Sequence, residues 1–132
     1  MAKLKWLPSF EIGHKALDDD HKELIEILDQ VDTVLASGDN ERAKDLVELL
    51  IDSVRKHFVH EEAVLAEIGY PRLRGHENHH IRILERADKI RENFNSASEQ
   101  ADLERVYEDL VSFLVADIIE ADTEFKSYLQ HT

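Results

Sequence analysis

The chain has 132 residues, 42% of them hydrophobic and 34% charged, which suits one globular domain with a real hydrophobic core. Its formal net charge of −13 repels phosphate backbones and anionic lipids, which excludes nucleic acid and membrane as favoured partners. The absence of cysteine excludes disulfides and thiolate metal sites. Without an apolar signal-peptide run in residues 1–10 or a segment long enough to span a bilayer, the protein is expected to be cytoplasmic.

An N-terminal arm and four helices are predicted from the spacing of apolar residues. The arm, residues 1–16, is expected to be extended, and residues 17–128 form the bundle of a single domain that covers 1–132. Apolar residues recur at spacings of three and four over residues 17–36, 41–68, 71–94 and 99–128. Four long amphipathic helices with short connections predict an all-α fold, an antiparallel up-down-up-down four-helix bundle.

Ionisable side chains interrupt the inward-facing series of all four predicted helices. Burying even an uncharged polar group without a partner costs roughly 2–7 kcal/mol. That cost is large beside a total stability of about 5–15 kcal/mol. A metal cluster would offset it, because imidazoles and carboxylates are good ligands for iron, manganese or zinc. The inward ionisable residues are His21, His57, Glu61, His76, His80 and Asp117.

The spacing of these residues favours a shared metal centre. His57 and Glu61 are four residues apart, as are His76 and His80, so each pair lies on one helix face. Asp122 follows the aspartate at 117 by five residues, which would place two carboxylates on neighbouring edges of the last helix. One inward histidine alone is more often a hydrogen-bonded core residue, but such groups on all four helices indicate a metal site.

The remaining titratable residues have simpler interpretations. His60 and His79 are expected to point away from the inward face. Glu62 lies about a hundred degrees around the helix from the inward glutamate, so it is either solvated or holds a histidine ring. His14 falls in the arm and His131 near the end of the chain.

Taken together, these motifs resemble the hemerythrin family, specifically the bacterial single-domain hemerythrins, over nearly the whole chain. No single motif is specific, but the combination is. The matching motifs are Trp6 with Phe10-Glu11-Ile12-Gly13, then Leu17-Asp18-x-Asp20-His21, His57-Phe58-x-x-Glu61-Glu62, Gly69-Tyr70-Pro71, His76-x-x-x-His80 and Phe113-Leu114-x-x-Asp117-Ile118-x-x-x-Asp122.

The resemblance implies a pair of non-haem irons with an oxo or hydroxo bridge, although manganese or a mixed pair would suit the same ligands. It implies dioxygen as the bound ligand, with peroxide and small anions such as azide as related ligands. The implied metal ligands are His21 and His57 for one iron, His76, His80 and the residue at 117 for the other, and Glu61 and Asp122 as bridges. The implied oxygen pocket is walled by Leu24, Phe58, Phe113, Leu114 and Ile118.

Position 117 departs from the family pattern, which has histidine where this chain has aspartate. A carboxylate ligand would lower the cluster charge by one and favour ferric iron, so oxygen binding should be less reversible than in a typical hemerythrin. An open or labile site there would instead allow oxidase or peroxide chemistry. Asp117 would ligate directly, act through a water, or serve as an acid that does not ligate.

Three rival functions fit parts of the sequence. His76-Glu77-x-x-His80 matches the zinc protease motif HExxH, with Glu77 as general base, but this motif leaves the other inward residues unexplained. The second rival is a metal-free or iron-storing bundle, but a ferritin-like iron store would use Glu-x-x-His pairs in register on two helices, which are not found in this sequence. The third rival is a sensor that reports oxygen, nitric oxide or redox state to a separate partner.

Overall fold

The computed structural model describes residues 6–130, apart from the side chains of Glu120, Ser127 and Gln130. Residues 1–5 of the predicted arm and His131 lie outside the described residues. All regular elements of the described part are helical, so the predicted all-α class is confirmed. The α-helices are α1 (Lys15–Ala36), α2 (Asn40–Glu67), α3 (Leu73–Ser96), α4 (Gln100–Ser112) and α5 (Lys126–Gln130).

The four long helices pack as the predicted four-helix bundle. Helix α1 contacts α2, α2 contacts α3, α3 contacts α4, and α4 returns to contact α1. Short connections force neighbouring helices to run antiparallel. At the end of α2, Gly69 has a φ of +71° and the Tyr70 N–H donates to the Leu65 carbonyl at 2.9 Å. This is a Schellman cap, in which glycine adopts the left-handed conformation at little cost. The chain then turns, and α3 begins at Leu73, two residues after the predicted start.

The arm is less extended than expected, since Pro8–Phe10 form a short 3-10 helix. Asp18 fixes the arm to α1: its buried carboxylate accepts the N–H groups of Ile12 at 2.9 Å and Gly13 at 3.2 Å. The N-cap of α1 is His14, whose Nδ1 accepts a backbone N–H. Asp18 therefore positions the arm and does not cap α1.

The hydrophobic core consists of two apolar clusters. The main cluster fills the bundle, and the smaller one includes Ile12 of the arm together with Leu17 and Leu65. Along α1, His21 lies between Leu17 of the smaller cluster and Leu24 of the main one. The ionisable layer thus separates two apolar layers. Among residues 6–130, no helix is both long and apolar enough to cross a membrane.

The last predicted helix is not one uniform α-helix. After α4, residues Phe113–Glu120 form a π-helix and Ala121–Phe125 a 3-10 helix before α5 begins. A π-helix bonds each residue to the fifth along, so a face predicted at the α-helical period shifts. Leu114, Ile118 and Asp122 are buried, whereas Asp117 and Ala121 are partly exposed. Asp117 therefore does not occupy the inward position predicted for it.

Candidate metal centre

Six of the seven predicted metal ligands meet in the buried layer between the two apolar clusters. They fall into two groups of four, and within each group one donor atom from every residue lies within 4.8 Å of the others. Two carboxylates belong to both groups, which is the arrangement that would bridge a pair of ions. The groups are His21, His57, Glu61 and Asp122, and Glu61, His76, His80 and Asp122.

The first group brings two imidazoles and two carboxylates together. The Nε2 atoms of His21 and His57 lie 3.0 Å apart. The Oδ2 atom of Asp122 lies 2.8 Å from Nε2 of His21 and 3.3 Å from Nε2 of His57. The Oε2 atom of Glu61 lies 2.9 Å from Nε2 of His57. All of these donors converge on one small volume.

The second group uses the other oxygens of the same carboxylates. The Oε1 atom of Glu61 contacts Nε2 of His76 and lies 3.0 Å from Nε2 of His80. The Oδ1 atom of Asp122 lies 3.8 Å from Nε2 of His76. Each carboxylate thus presents one oxygen to each group, as a bridging ligand would.

Aromatic contacts hold the two imidazoles of α3. The Phe58 ring stacks on His80 with centroids 3.7 Å apart and planes at 5°. The Phe125 ring meets His76 edge-on, with centroids 5.3 Å apart and planes at 89°. The Oε2 atom of Glu62 lies 3.7 Å from Nδ1 of His80, so Glu62 lies beside a ligand candidate instead of pointing only to solvent.

Burial and charge act against each other in this site. Burial would lower the pKa of His57, but the carboxylates of Asp122, Asp20 and Glu61 outweigh it and raise that pKa well above its ordinary value. Burial alone would raise the pKa of Glu61, but hydrogen bonds with Asp122 and with the histidines of the site hold that pKa well below its ordinary value. Burial and the charge of Glu61 raise the pKa of Asp122. Without a metal, the site therefore favours a protonated His57 beside an ionised Glu61, whereas Asp122 is shifted toward its neutral form.

These residues fit a metal pair. The donors are imidazole nitrogens and carboxylate oxygens, which suit iron, manganese or zinc. Three buried polar atoms of the site make no hydrogen bond of acceptable geometry among the described residues: Nδ1 of His21, Nδ1 of His80 and Oε2 of Glu61. The 2.9 Å approach of that oxygen to Nε2 of His57 is short enough but lacks hydrogen-bond angles. An unsatisfied carboxylate oxygen in a closed core is costly, and a cation would satisfy it.

Asp117 is the predicted ligand that the structure does not bring into the site. Its carboxylate pairs with the Arg86 guanidinium of α3, and 29% of its side chain is exposed. The Arg86 guanidinium also lies 6.0 Å from the centroid of the Phe113 ring. The π-helical segment accounts for this placement, because it turns position 122 inward and position 117 toward the edge of the bundle.

The residues predicted to wall an oxygen pocket are all buried in the main apolar cluster. Their exposed fractions are 0–2%, so they can exclude water from the donors. The residues are Leu24, Phe58, Phe113, Leu114 and Ile118.

The HExxH interpretation is disfavoured by the placement of Glu77. His76 and His80 are buried, whereas Glu77 is exposed on another face of α3, away from any water that a metal held by these two histidines would bind. His79 is half-buried and lines a small cleft beside His76 with Arg72.

Sequence reasoning missed Asp20, whose carboxylate contacts both His57 and His60. The available signals were its position directly before His21 and the spacing of three between the two α2 histidines.

The fold and the site define a metal-binding protein: a helical bundle whose buried imidazoles and shared carboxylates can accommodate two cations. Comparison with known proteins agrees with this class. Residues 13–129 match the family model described as the hemerythrin HHE cation binding domain. The chain therefore belongs to the hemerythrin family.

Bacteriohemerythrins are the curated relatives. The one from Stenotrophomonas maltophilia is 26% identical over 77% of this chain and 67% of its own length. The one from Clostridium acetobutylicum is 27% identical over 91% of this chain and 96% of its own length. The one from Campylobacter jejuni is 40% identical over 54% of this chain and 52% of its own length.

Proposed function

We propose that this chain is a non-haem diiron protein that binds dioxygen or its reduction products. The observation that carries the proposal is the sharing of Glu61 and Asp122 between two groups of buried donors. Membership of the hemerythrin family supports it, since that family in general comprises diiron oxygen-binding proteins.

The proposed ligands are those that the two groups supply. One iron would be held by His21 and His57, the other by His76 and His80, with the shared carboxylates and an oxo or hydroxo group between them. When bound, the iron pair would supply the electrons that reduce dioxygen. The protein's part is to present the donors, to exclude water with the apolar wall, and to leave positions open for a small ligand such as dioxygen, peroxide or azide.

Oxygen binding is proposed to be less reversible than in a typical hemerythrin. The donor sets give each iron two imidazoles and a share of two carboxylates, and such sets with open positions are typical of non-haem iron that reacts with oxygen. Ligation by Asp117 would require its carboxylate to leave Arg86, so we propose that position 117 contributes no ligand. The oxidase alternative depends on that ligand and gains no support from the ion pair.

The experiment is an anaerobic titration of the ferrous protein with dioxygen, followed by removal of oxygen under argon. The expected result is an optical change complete at one dioxygen per two irons that reverses only partly. Azide added to the oxidised protein should produce new ligand-to-metal bands. A ferrous protein that shows no spectral response to dioxygen, together with an oxidised protein that shows none to azide, would overturn the proposal.

Position 117 has its own test. The Asp117→His variant, which supplies a fifth imidazole, should slow autoxidation of the ferrous form and make oxygen release more complete. The Asp117→Ala variant should keep both irons, because this carboxylate is not a ligand. Loss of iron from the alanine variant would instead identify the aspartate as a ligand.

The proposal also includes a cytoplasmic location, which cell fractionation tests.

A further inference from the structure

A carboxylate outside the proposed ligand set joins a buried imidazole to a partly exposed one. The Oδ2 atom of Asp20 lies 3.1 Å from Nδ1 of His57 and 2.7 Å from Nδ1 of His60. Only 1% of the His57 side chain is exposed, against 29% for Asp20 and 40% for His60. The three residues form a short hydrogen-bonded chain from the metal centre to the surface.

This series of hydrogen bonds contacts the ring nitrogen of His57 that faces away from the metal centre. The Nε2 atom of the same ring faces the donors, 3.0 Å from Nε2 of His21. A histidine ligand must offer a lone pair at the nitrogen facing the metal, and a neutral imidazole carries one proton on the other nitrogen. A carboxylate that accepts Nδ1–H of His57 therefore fixes both the tautomer and the ring orientation.

Other imidazoles of the site lack such support. Nδ1 of His21 and Nδ1 of His80 have no hydrogen-bond partner among the described residues. The Glu62 carboxylate lies 3.7 Å from Nδ1 of His80, which is beyond hydrogen-bond distance. The ring of His80 is held by stacking on Phe58 instead. His57 thus stands apart from these two as a candidate ligand oriented by a carboxylate.

His60 lies on the surface side of this carboxylate. It borders a cleft of about 380 Å³ between α1 and α2, which is also lined by Asp20, Leu24 and Lys56. Asp20 and His60 come from different helices, so their 2.7 Å contact restrains the aspartate rotamer across the interface. Because His60 Nδ1 donates to Asp20 from the cleft, the carboxylate remains directed at His57.

We propose that Asp20 is a positioning residue that holds His57 with its proton on Nδ1 and its lone pair toward the metal, and that His60 holds Asp20 in place. This inference rests on the proposed metal centre. The effect of Asp20 on a metal is exerted through His57.

The test uses cobalt(II) as a probe in the full chain. Competition with a chelator measures cobalt affinity, and proton NMR of the cobalt protein detects the shifted, exchangeable Nδ1–H of ligand imidazoles. The Asp20→Ala variant should bind cobalt about 10- to 100-fold more weakly. Its His57 Nδ1–H signal should exchange faster with solvent. Asp20→Asn, whose amide oxygen can still accept the proton, should lose less, and His60→Gln should lie between wild type and alanine.

The matched control is Asp19→Asn, which removes the neighbouring exposed carboxylate that pairs with Lys15. It should leave affinity and the exchangeable signal unchanged. If Asp20→Ala binds cobalt as tightly as the wild type and retains the protected Nδ1–H signal, the inference is overturned while the metal centre stands. Wild-type protein that takes up no cobalt, zinc or iron would overturn the proposed function itself.

Discussion

Phe58 both packs in the hydrophobic core and stacks on a candidate metal ligand, and the two contributions can be measured separately. Its ring is 2% exposed and stacks on His80 with centroids 3.7 Å apart. Phe58→Ala should lower the free energy of unfolding of the metal-free protein by about 3–5 kcal/mol, since it removes buried apolar surface and leaves a cavity. That is a large share of about 5–15 kcal/mol, so Phe58→Leu serves as a milder variant.

The second effect of Phe58→Ala is on the metal. An aromatic pair contributes about 0.5–1.5 kcal/mol beyond buried area, which corresponds to roughly 2- to 13-fold weaker binding of the metal held by His76 and His80. The matched control is Phe94→Ala: Phe94 is 0% exposed and lies near the far end of α3 from both histidines.

Urea unfolding of the metal-free variants and chelator competition on the folded, metal-loaded variants are the two assays. The expected result is a similar loss of stability in Phe58→Ala and Phe94→Ala, with weaker metal binding in Phe58→Ala alone. Wild-type metal affinity in Phe58→Ala would refute a role for the stack in holding His80. A loss of affinity in Phe94→Ala as large as in Phe58→Ala would show that affinity follows global stability.

Two further predictions concern the arm and the metal-free site. Asp18→Asn leaves one acceptor for two arm N–H groups, so the free energy of unfolding should fall by about 1–3 kcal/mol. Asp19→Asn, at an exposed position, should change the free energy of unfolding by less than about 0.5 kcal/mol. Equal losses in the two variants would argue against a role for Asp18 in holding the arm. In the metal-free protein the pKa values of His57 and His76 are raised, against burial, mainly by carboxylates that include Glu61. That stabilisation is fully present below the unfolded-state pKa near 6.5 and is lost as pH rises through the folded values. The urea concentration at the unfolding midpoint of the metal-free protein should therefore fall as the pH is raised from about 6.5 to about 9, whereas that of the metal-loaded protein should not. A midpoint that rises over this range would contradict stabilisation of the protonated histidines by these carboxylates.

The sequence predicted the first three helices and the contents of the buried layer well, because both depend on the α-helical period. His21, His57, Glu61, His76 and His80 occupy inward positions of regular α-helices, so spacing alone places them on the correct faces. The chain order of the helices and their short connections then predicted which faces meet.

Prediction from the α-helical period fails where the backbone is no longer an α-helix. The π-helix after α4 shifts the inward face, so Asp117 leaves the ligand position expected for it while Asp122 keeps its expected place in both donor groups. The local pattern does not mark this change, since residues 113–119 are apolar apart from Asp117 and so define no single inward face. The contacts of Asp20 with His57 and His60 span 37 and 40 residues, so they depend on how two helices are rotated against each other.

The content of bound iron in wild type and in two glutamine variants tests the paired site most directly. Glu61 belongs to both donor groups, whereas Glu77, one residue from His76, is exposed. Elemental analysis of protein loaded with ferrous iron should give two irons per chain in the wild type and in Glu77→Gln, and no stable pair in Glu61→Gln. One metal per chain, or a Glu61→Gln protein that keeps the full pair, would contradict the account.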